Sequence, residues 1–261
     1  MLPTPNTSHV SFDRVYEPAE DSYLLLDTLS SDNEKAFLSQ RFGKRDGQCD
    51  PPLVVEVGTG SGVVLAFVAQ NTDILFQRND VLTLGIDISA FACHATSETV
   101  VTAVQETRSR NTHPSVFLDA VNADLLSPLR PGAVDILIFN PPYVPTPALP
   151  DATKHDEYNE YAPETSFEQE SYLLELSYAG GPDGMETTNR LLTQLPSVLH
   201  AQRGVAYVLL CAQNKPLEVQ AHIRSWGADW DAEFVGSSGK TAGWEKLQIL
   251  RIWRRHGLAE E

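Results

Sequence analysis

The stretch Leu53-Val54-Val55-Glu56-Val57-Gly58-Thr59-Gly60-Ser61-Gly62 passes from β-branched residues straight into a glycine-rich turn. Pro51-Pro52 bounds it upstream, and an apolar helical pattern over 62–70 follows it. Strand, tight turn and helix in that order predict the opening unit of a parallel α/β sheet. Glycines let the chain turn sharply and let backbone approach a ligand closely. The spacing is G-x-G-x-G, not the G-x-G-x-x-G of dinucleotide sites. Glu56, two residues before Gly58, would repel a pyrophosphate, whereas a cofactor presenting an ammonium group is compatible with it. Taken alone, the glycines are better explained as a tight turn with no ligand.

Working outward, Leu82–Asp87, Val116–Val121, Val134–Phe139 and Val205–Leu210 are further short apolar runs. Such runs suit strands covered on both faces. Helical patterns fill the gaps over Gly62–Gln70, Ala90–Thr107 and Thr187–Leu199. The alternation breaks at the end, where Trp230–Val235 and Glu245–Trp253 are joined directly through Gly236-Ser237-Ser238-Gly239. A connection that short implies an antiparallel pair. Near the start, Pro18 suits a first helical position, and Glu20 and Asp21 suit the positive end of the helix dipole. A short helical extension over about residues 1–35 is expected there. Ser39–Pro52 and Asn71–Asp80 read as surface loops. Val144–Glu170, with four prolines and many carboxylates, reads as a long acidic insertion, either lid or mobile segment, its acidity favouring mobility.

A chain of 261 residues fits one large domain. The balance of 35 acidic to 19 basic residues, net -16, argues against a general nucleic-acid surface, which binds phosphates through Lys and Arg. Cys49, Cys93 and Cys211 have no metal-site spacing and fit reduced intracellular thiols. No targeting pattern or membrane-length apolar run is visible, so no metal and no membrane are expected. The expected compartment is the cytoplasm, with the nucleus also open.

Acidic residues recur where strands end. Asp87 closes Gly85-Ile86-Asp87, where a carboxylate can accept from ribose hydroxyls, and Asp124 in Asn122-Ala123-Asp124-Leu125 can accept from an exocyclic adenine amine. Each alone is more often a cap or turn residue. Together with Glu56 they form one rim. The pattern EVGTGSG, GID, NAD resembles class I S-adenosylmethionine-dependent methyltransferases. That resemblance implies a Rossmann-like, seven-stranded, mostly parallel sheet with helices on both faces and the last strand inserted antiparallel between the fifth and sixth. It also implies S-adenosyl-L-methionine as cofactor, its ribose on Asp87, its adenine on Asp124 and the Leu125 amide, and its methionine end on the turn Glu56–Gly60, with Gly58 and Gly60.

Asn140-Pro141-Pro142-Tyr143 ends the fourth strand at this rim. The motif is similar to that of methyltransferases acting on planar amino groups. Such an NH2 is a poor nucleophile, because its lone pair is delocalised. The Asn140 side-chain oxygen and the Pro141 carbonyl can each accept one N–H, fixing the nitrogen and stabilising its developing charge. Pro141 and Pro142 bring no competing N–H and stiffen the loop, and Tyr143 offers its ring to the planar group. A rigid turn is the plainer reading of an isolated N-P-P. The motif alone does not separate adenine from glutamine.

VYEPAEDSYLLLDTL (15–29), EVGTGSGVV (56–64) and FNPPYVPTP (139–147) together resemble the eukaryotic HemK-like protein glutamine methyltransferases. The resemblance implies methylation of the glutamine in the Gly-Gly-Gln loop of the class 1 release factor. It implies a heterodimer with a small zinc-binding activator protein, Ser22 and Tyr16 at the methionine end of the cofactor, and Asn140 touching both cofactor and substrate. The edge strand Val116–Val121 is the expected activator surface, since an open apolar edge invites pairing. Three rivals are weighed. An adenine N6-methyltransferase on DNA or RNA lacks its basic groove here. A lysine methyltransferase has no need of N-P-P-Y. A non-catalytic scaffold has no reason to keep Glu56, Asp87, Asp124 and Asn140 together.

Overall fold

Alternate residues of the central strands face opposite sides of the sheet. Val54, Ile136, Ile138 and Tyr207 join Leu25, Leu38 and Phe67 in one apolar cluster. Val55, Leu137, Phe139 and Val208 join Leu191, Leu195 and Ile223 in another on the far face. With both faces covered, a strand is apolar at nearly every position, which is why these segments read as hydrophobic runs. The computed structural model describes residues 2–44, 50–107, 115–239 and 246–255.

The strands are β1 (Leu53–Val57), β2 (Leu82–Asp87), β3 (Val116–Asn122), β4 (Ile136–Phe139), β5 (Val205–Cys211), β6 (Trp230–Ser237) and β7 (Leu247–Arg254). They form one seven-stranded sheet in the order β3-β2-β1-β4-β5-β7-β6. Pairings from β3 through β5 are parallel, and β7 lies antiparallel between β5 and β6. This is the architecture expected of the sequence, including the inserted last strand.

Helices α1 (Glu20–Leu29), α2 (Asp32–Phe42), α3 (Val63–Gln70) and α4 (Thr72–Phe76) cover the first face. Helix α5 (Ala90–Thr107) packs on α3 through Val100, Ala103 and Val104. Helices α6 (His155–Tyr158) and α7 (Phe167–Tyr178) follow β4, and α8 (Glu186–Val198) and α9 (Pro216–Arg224) cover the second face.

Several expected boundaries move. Pro18 is not the first helical residue: α1 begins at Glu20 with Ala19 as its N-cap, so the two acids occupy the first turn. Ser39 to Phe42 are not loop but the end of α2, whose start is capped by Ser31 accepting from the Glu34 amide. Ser31-x-x-Glu34 is a capping-box pattern that marks this start in the sequence. The rest of that predicted loop, including Cys49, lies largely outside the described residues. Asn71–Asp80 is likewise not a surface loop, because α4 buries Leu75 and Phe76, the latter edge-on to Phe42. Val134 lies outside β4, in an isolated bridge to Leu199. Cys93 and Cys211 are both buried thiols.

Candidate active site

Strand order changes direction at β1, with β2 on one side and β4 on the other. Ligands in such sheets bind beyond the strand carboxyl ends at that point. A cavity of about 560 Å3 opens there, within the size range of small-molecule sites. It is lined by Tyr16, Ser22, Glu56, Gly58, Gly60, Asp87, Asp124, Leu125, Asn140 and Pro142. Pro141 and Tyr143 are not among the lining residues. Tyr143 packs against the apolar cluster beneath α1, and its carbonyl accepts from Asn214 Nδ2 at 3.1 Å.

The glycine turn is shaped from both sides. Gly62 has φ +78°, and a Cβ there would meet Thr96 Cα at 2.6 Å, so α5 could not pack this closely on a larger residue. Gly60 has φ +52° and nothing within 4 Å of where its Cβ would lie. That open space is on the cavity side of the turn, where a ligand can approach the backbone.

Two carboxylates anchor the turn. Glu56 Oε2 accepts from the Leu65 amide at 2.8 Å, closing the first turn of α3. Burial pushes its carboxyl well above the usual carboxylate range, the Leu65 hydrogen bond opposing and the nearby Asp87 reinforcing the rise. Asp87 Oδ2 accepts from Gly60 N at 3.0 Å, and its Oδ1 from Ser89 N at 2.8 Å. Burial raises this carboxyl too, against those backbone bonds. The Thr59 backbone and side chain also hydrogen-bond to this carboxylate. Below them the Cys93 thiol donates to the Asp87 carbonyl, and burial pushes it up to about 12, so it stays protonated.

Asn140 leaves β4 with its side chain fixed at one end. Its Nδ2 donates to Asp21 Oδ2 at 2.9 Å, while its Oδ1 is buried and has no hydrogen-bond partner. A buried acceptor left unpaired costs about 1–3 kcal/mol, so a donor arriving through the cavity would recover that cost. Asp124 is more exposed, and Arg190 of α8 ion-pairs with it across the cavity wall.

The acidic insertion walls the cavity through Leu149, Pro150, Ala152, His155 and Asp156. Asn159 ties it to the sheet, accepting from Ala90 N at 2.7 Å and donating to the Ile88 carbonyl at 3.0 Å. Arg14 ties it to the N-terminal segment by donating to the Ala162 and Pro163 carbonyls.

Sequence reasoning missed Asp21, Arg190, His155 and Tyr172 as cavity residues. Asp21 stands inside the quoted EPAEDS motif, beside Ser22, so a signal was present. The others come from segments with no motif, and only the folded chain brings them to the rim.

A fit to an ammonium-bearing nucleoside cofactor therefore rests on features of the cavity itself: an open glycine turn, carboxylates at three strand ends, and a buried acceptor at the fourth. No family model matches the chain. It is 34% identical over 259 residues to the eRF1 methyltransferase catalytic subunit mtq2 of Schizosaccharomyces pombe, spanning 97% of this chain and 96% of that protein. It is 33% identical over 255 residues to methyltransferase HEMK2 of Mus musculus, with 96% of each chain covered. The HEMK2 of Homo sapiens is 31% identical over 255 residues, with 95% of each covered. Similarity of this degree over nearly the whole chain carries both fold and chemistry: the chain belongs to the HemK-like methyltransferases, the family of mtq2 and HEMK2, with S-adenosyl-L-methionine as cofactor.

Proposed function

We propose that this chain methylates the side-chain amide nitrogen of the glutamine in the Gly-Gly-Gln loop of the class 1 release factor. The observation that carries this reading is the buried, unpartnered Oδ1 of Asn140 at the cavity wall. The name of the fission-yeast relative, an eRF1 methyltransferase, supports the substrate.

When bound, S-adenosyl-L-methionine supplies a methyl on a sulfonium, which leaves as a neutral thioether as the methyl moves to nitrogen. The chain's own residues hold the two partners. Glu56 and the turn Gly58–Gly60 would hold the methionine end with Ser22 and Tyr16, Asp87 would hold the ribose, and Asp124 with the Leu125 amide would hold the adenine. Asn140 Oδ1 accepts an N–H of the substrate amide, which orients the nitrogen for in-line transfer. That bond strengthens as positive charge grows on nitrogen. The nitrogen afterwards releases one proton, and no strong base is needed because the methylated nitrogen is acidic.

A partner forms the second part of the proposal. Strand β3 is a sheet edge with Val116 50% and Leu118 49% exposed, and Val101 of the neighbouring α5 is also exposed. An apolar edge of this kind is a pairing liability if left open. We assign it to a small zinc-binding activator protein, and the word "subunit" in the name of mtq2 supports a two-chain enzyme.

The test is methyl transfer from labelled S-adenosyl-L-methionine with the activator present. The release factor should be labelled, and its Gln-to-Ala variant and Asn140→Ala enzyme should not. Labelling of an adenine-containing oligonucleotide in place of the release factor would reverse the assignment.

A further inference from the structure

The side chain of Asn140 has two ends of opposite chemistry, and the chain determines which end faces the cavity. A carboxylate oxygen only accepts, so the group beside Asp21 Oδ2 must be the NH2 of Asn140, at 2.9 Å. The carbonyl end is thereby turned away from Asp21 and left as the buried acceptor. Without Asp21, rotation about the last side-chain torsion exchanges the two ends at little cost. A flipped Asn140 would present donors to a substrate NH2, which is also a donor, and the pair would repel.

Asp21 is itself held. It is 3% exposed in the first turn of α1, and its Oδ1 accepts from Ser22 N at 2.6 Å and faces Ser22 Oγ at 3.3 Å. The other oxygen is thus left for Asn140. A hydrogen bond from the amide NH2 to a carboxylate also draws electron density onto the amide oxygen, because linked hydrogen bonds polarise one another. Asn140 Oδ1 is then a better acceptor for a nitrogen gaining positive charge.

We infer that Asp21 is a positioning residue for methyl transfer, holding the Asn140 amide in the one orientation that accepts from the substrate. This rests on the reading of Asn140 given above. Asp21 lines the cavity, but its effect on the reaction passes through Asn140.

The test compares Asp21→Ala, Asp21→Asn, Asn140→Ala and the double variant in the complete enzyme. Release factor is the substrate, and calorimetry measures cofactor affinity. Asp21→Ala should lower kcat about 10²-fold, the scale of a misplaced reacting group, with cofactor Kd changed less than about threefold. Asp21→Asn keeps an oxygen acceptor and should fall between wild type and Asp21→Ala. The double variant should be no slower than Asn140→Ala, since both changes remove one function. If Asp21→Ala folds poorly, Asp21→Asn carries the test, with reduced kcat at unchanged cofactor affinity. A slow Asn140→Ala beside an Asp21→Ala of wild-type kcat overturns the role of Asp21 alone. So does multiplication of the two effects, or a loss of kcat matched by loss of cofactor binding. An Asn140→Ala enzyme at full rate removes the reading of Asn140, and the role of Asp21 falls with it.

Discussion

Arg190 on α8 ion-pairs with Asp124 beyond the end of β3, so a charge pair between a strand-end loop and a helix closes one wall of the cavity. Both side chains are nearly half exposed, and pairs of that kind are worth about 0–1 kcal/mol. Arg190→Ala should therefore leave the denaturation midpoint almost unchanged. Asp124→Ala should weaken S-adenosyl-L-methionine binding about tenfold, the loss of roughly one charge-assisted hydrogen bond. Calorimetry checks it; unchanged affinity would remove Asp124 from the adenine end.

Glu56 links stability to pH. A carboxyl whose folded pKa is raised binds its proton more tightly folded than unfolded, so its contribution is fully present below the ordinary value of 4.5 and is lost as pH rises toward the folded value. Glu56→Gln keeps an oxygen for the Leu65 amide but cannot ionise. Its stability should fall less with rising pH than that of wild type, and at neutral pH it should be at least as stable. Cofactor affinity should nevertheless drop about tenfold, because the ammonium loses its counter-charge. Thermal melts over about pH 5 to 8, with and without cofactor, separate the two effects.

A buried polar cluster fastens α2 to the sheet. Glu34 Oε1 accepts from Arg251 Nη1 at 2.6 Å and Oε2 from Tyr207 Oη at 2.7 Å, with the guanidinium 3.8 Å above the Phe37 ring. Glu34 is 2% exposed, so Glu34→Ala strands the Tyr207 phenol and leaves the buried Arg251 with Glu233 as its carboxylate partner, at a cost of about 3 kcal/mol. Tyr207→Phe leaves the ion pair intact and should cost only about 1–2 kcal/mol. Denaturant midpoints measure both; equal costs would mean that the ion pair contributes nothing.

Much of this fold was legible because its signals are local. The run LVVEV before a glycine turn gave β1 residue for residue, and the short Gly-rich link gave the antiparallel pairing of β6 and β7. Helix α4 was hidden because only two apolar residues, Leu75 and Phe76, carry its burial in a polar stretch. At the site, Glu56, Asp87, Asp124 and Asn140 were picked out by their positions at the ends of apolar runs, and all four line the cavity. Arg190 and His155 were not picked out, because nothing in the sequence near them records which strand end they will face.

Val116 and Leu118 test the partner surface. Both are about half exposed on the edge strand, so changing both to Lys should alter the stability of the isolated chain by no more than about 0.5 kcal/mol. Co-purification with the proposed zinc-binding activator should be lost. Retained binding at unchanged stability would move the partner to another face.

In the proposed reaction one glutamine amide, held by Asn140, receives the methyl group. The most direct measurement is mass spectrometry of the release factor after reaction with the wild-type chain and with Asn140→Ala, each supplied with the proposed activator. A gain of one methyl on the glutamine of Gly-Gly-Gln, absent with Asn140→Ala, is the predicted result. A methyl found on another residue, or an undiminished gain with Asn140→Ala, would contradict it.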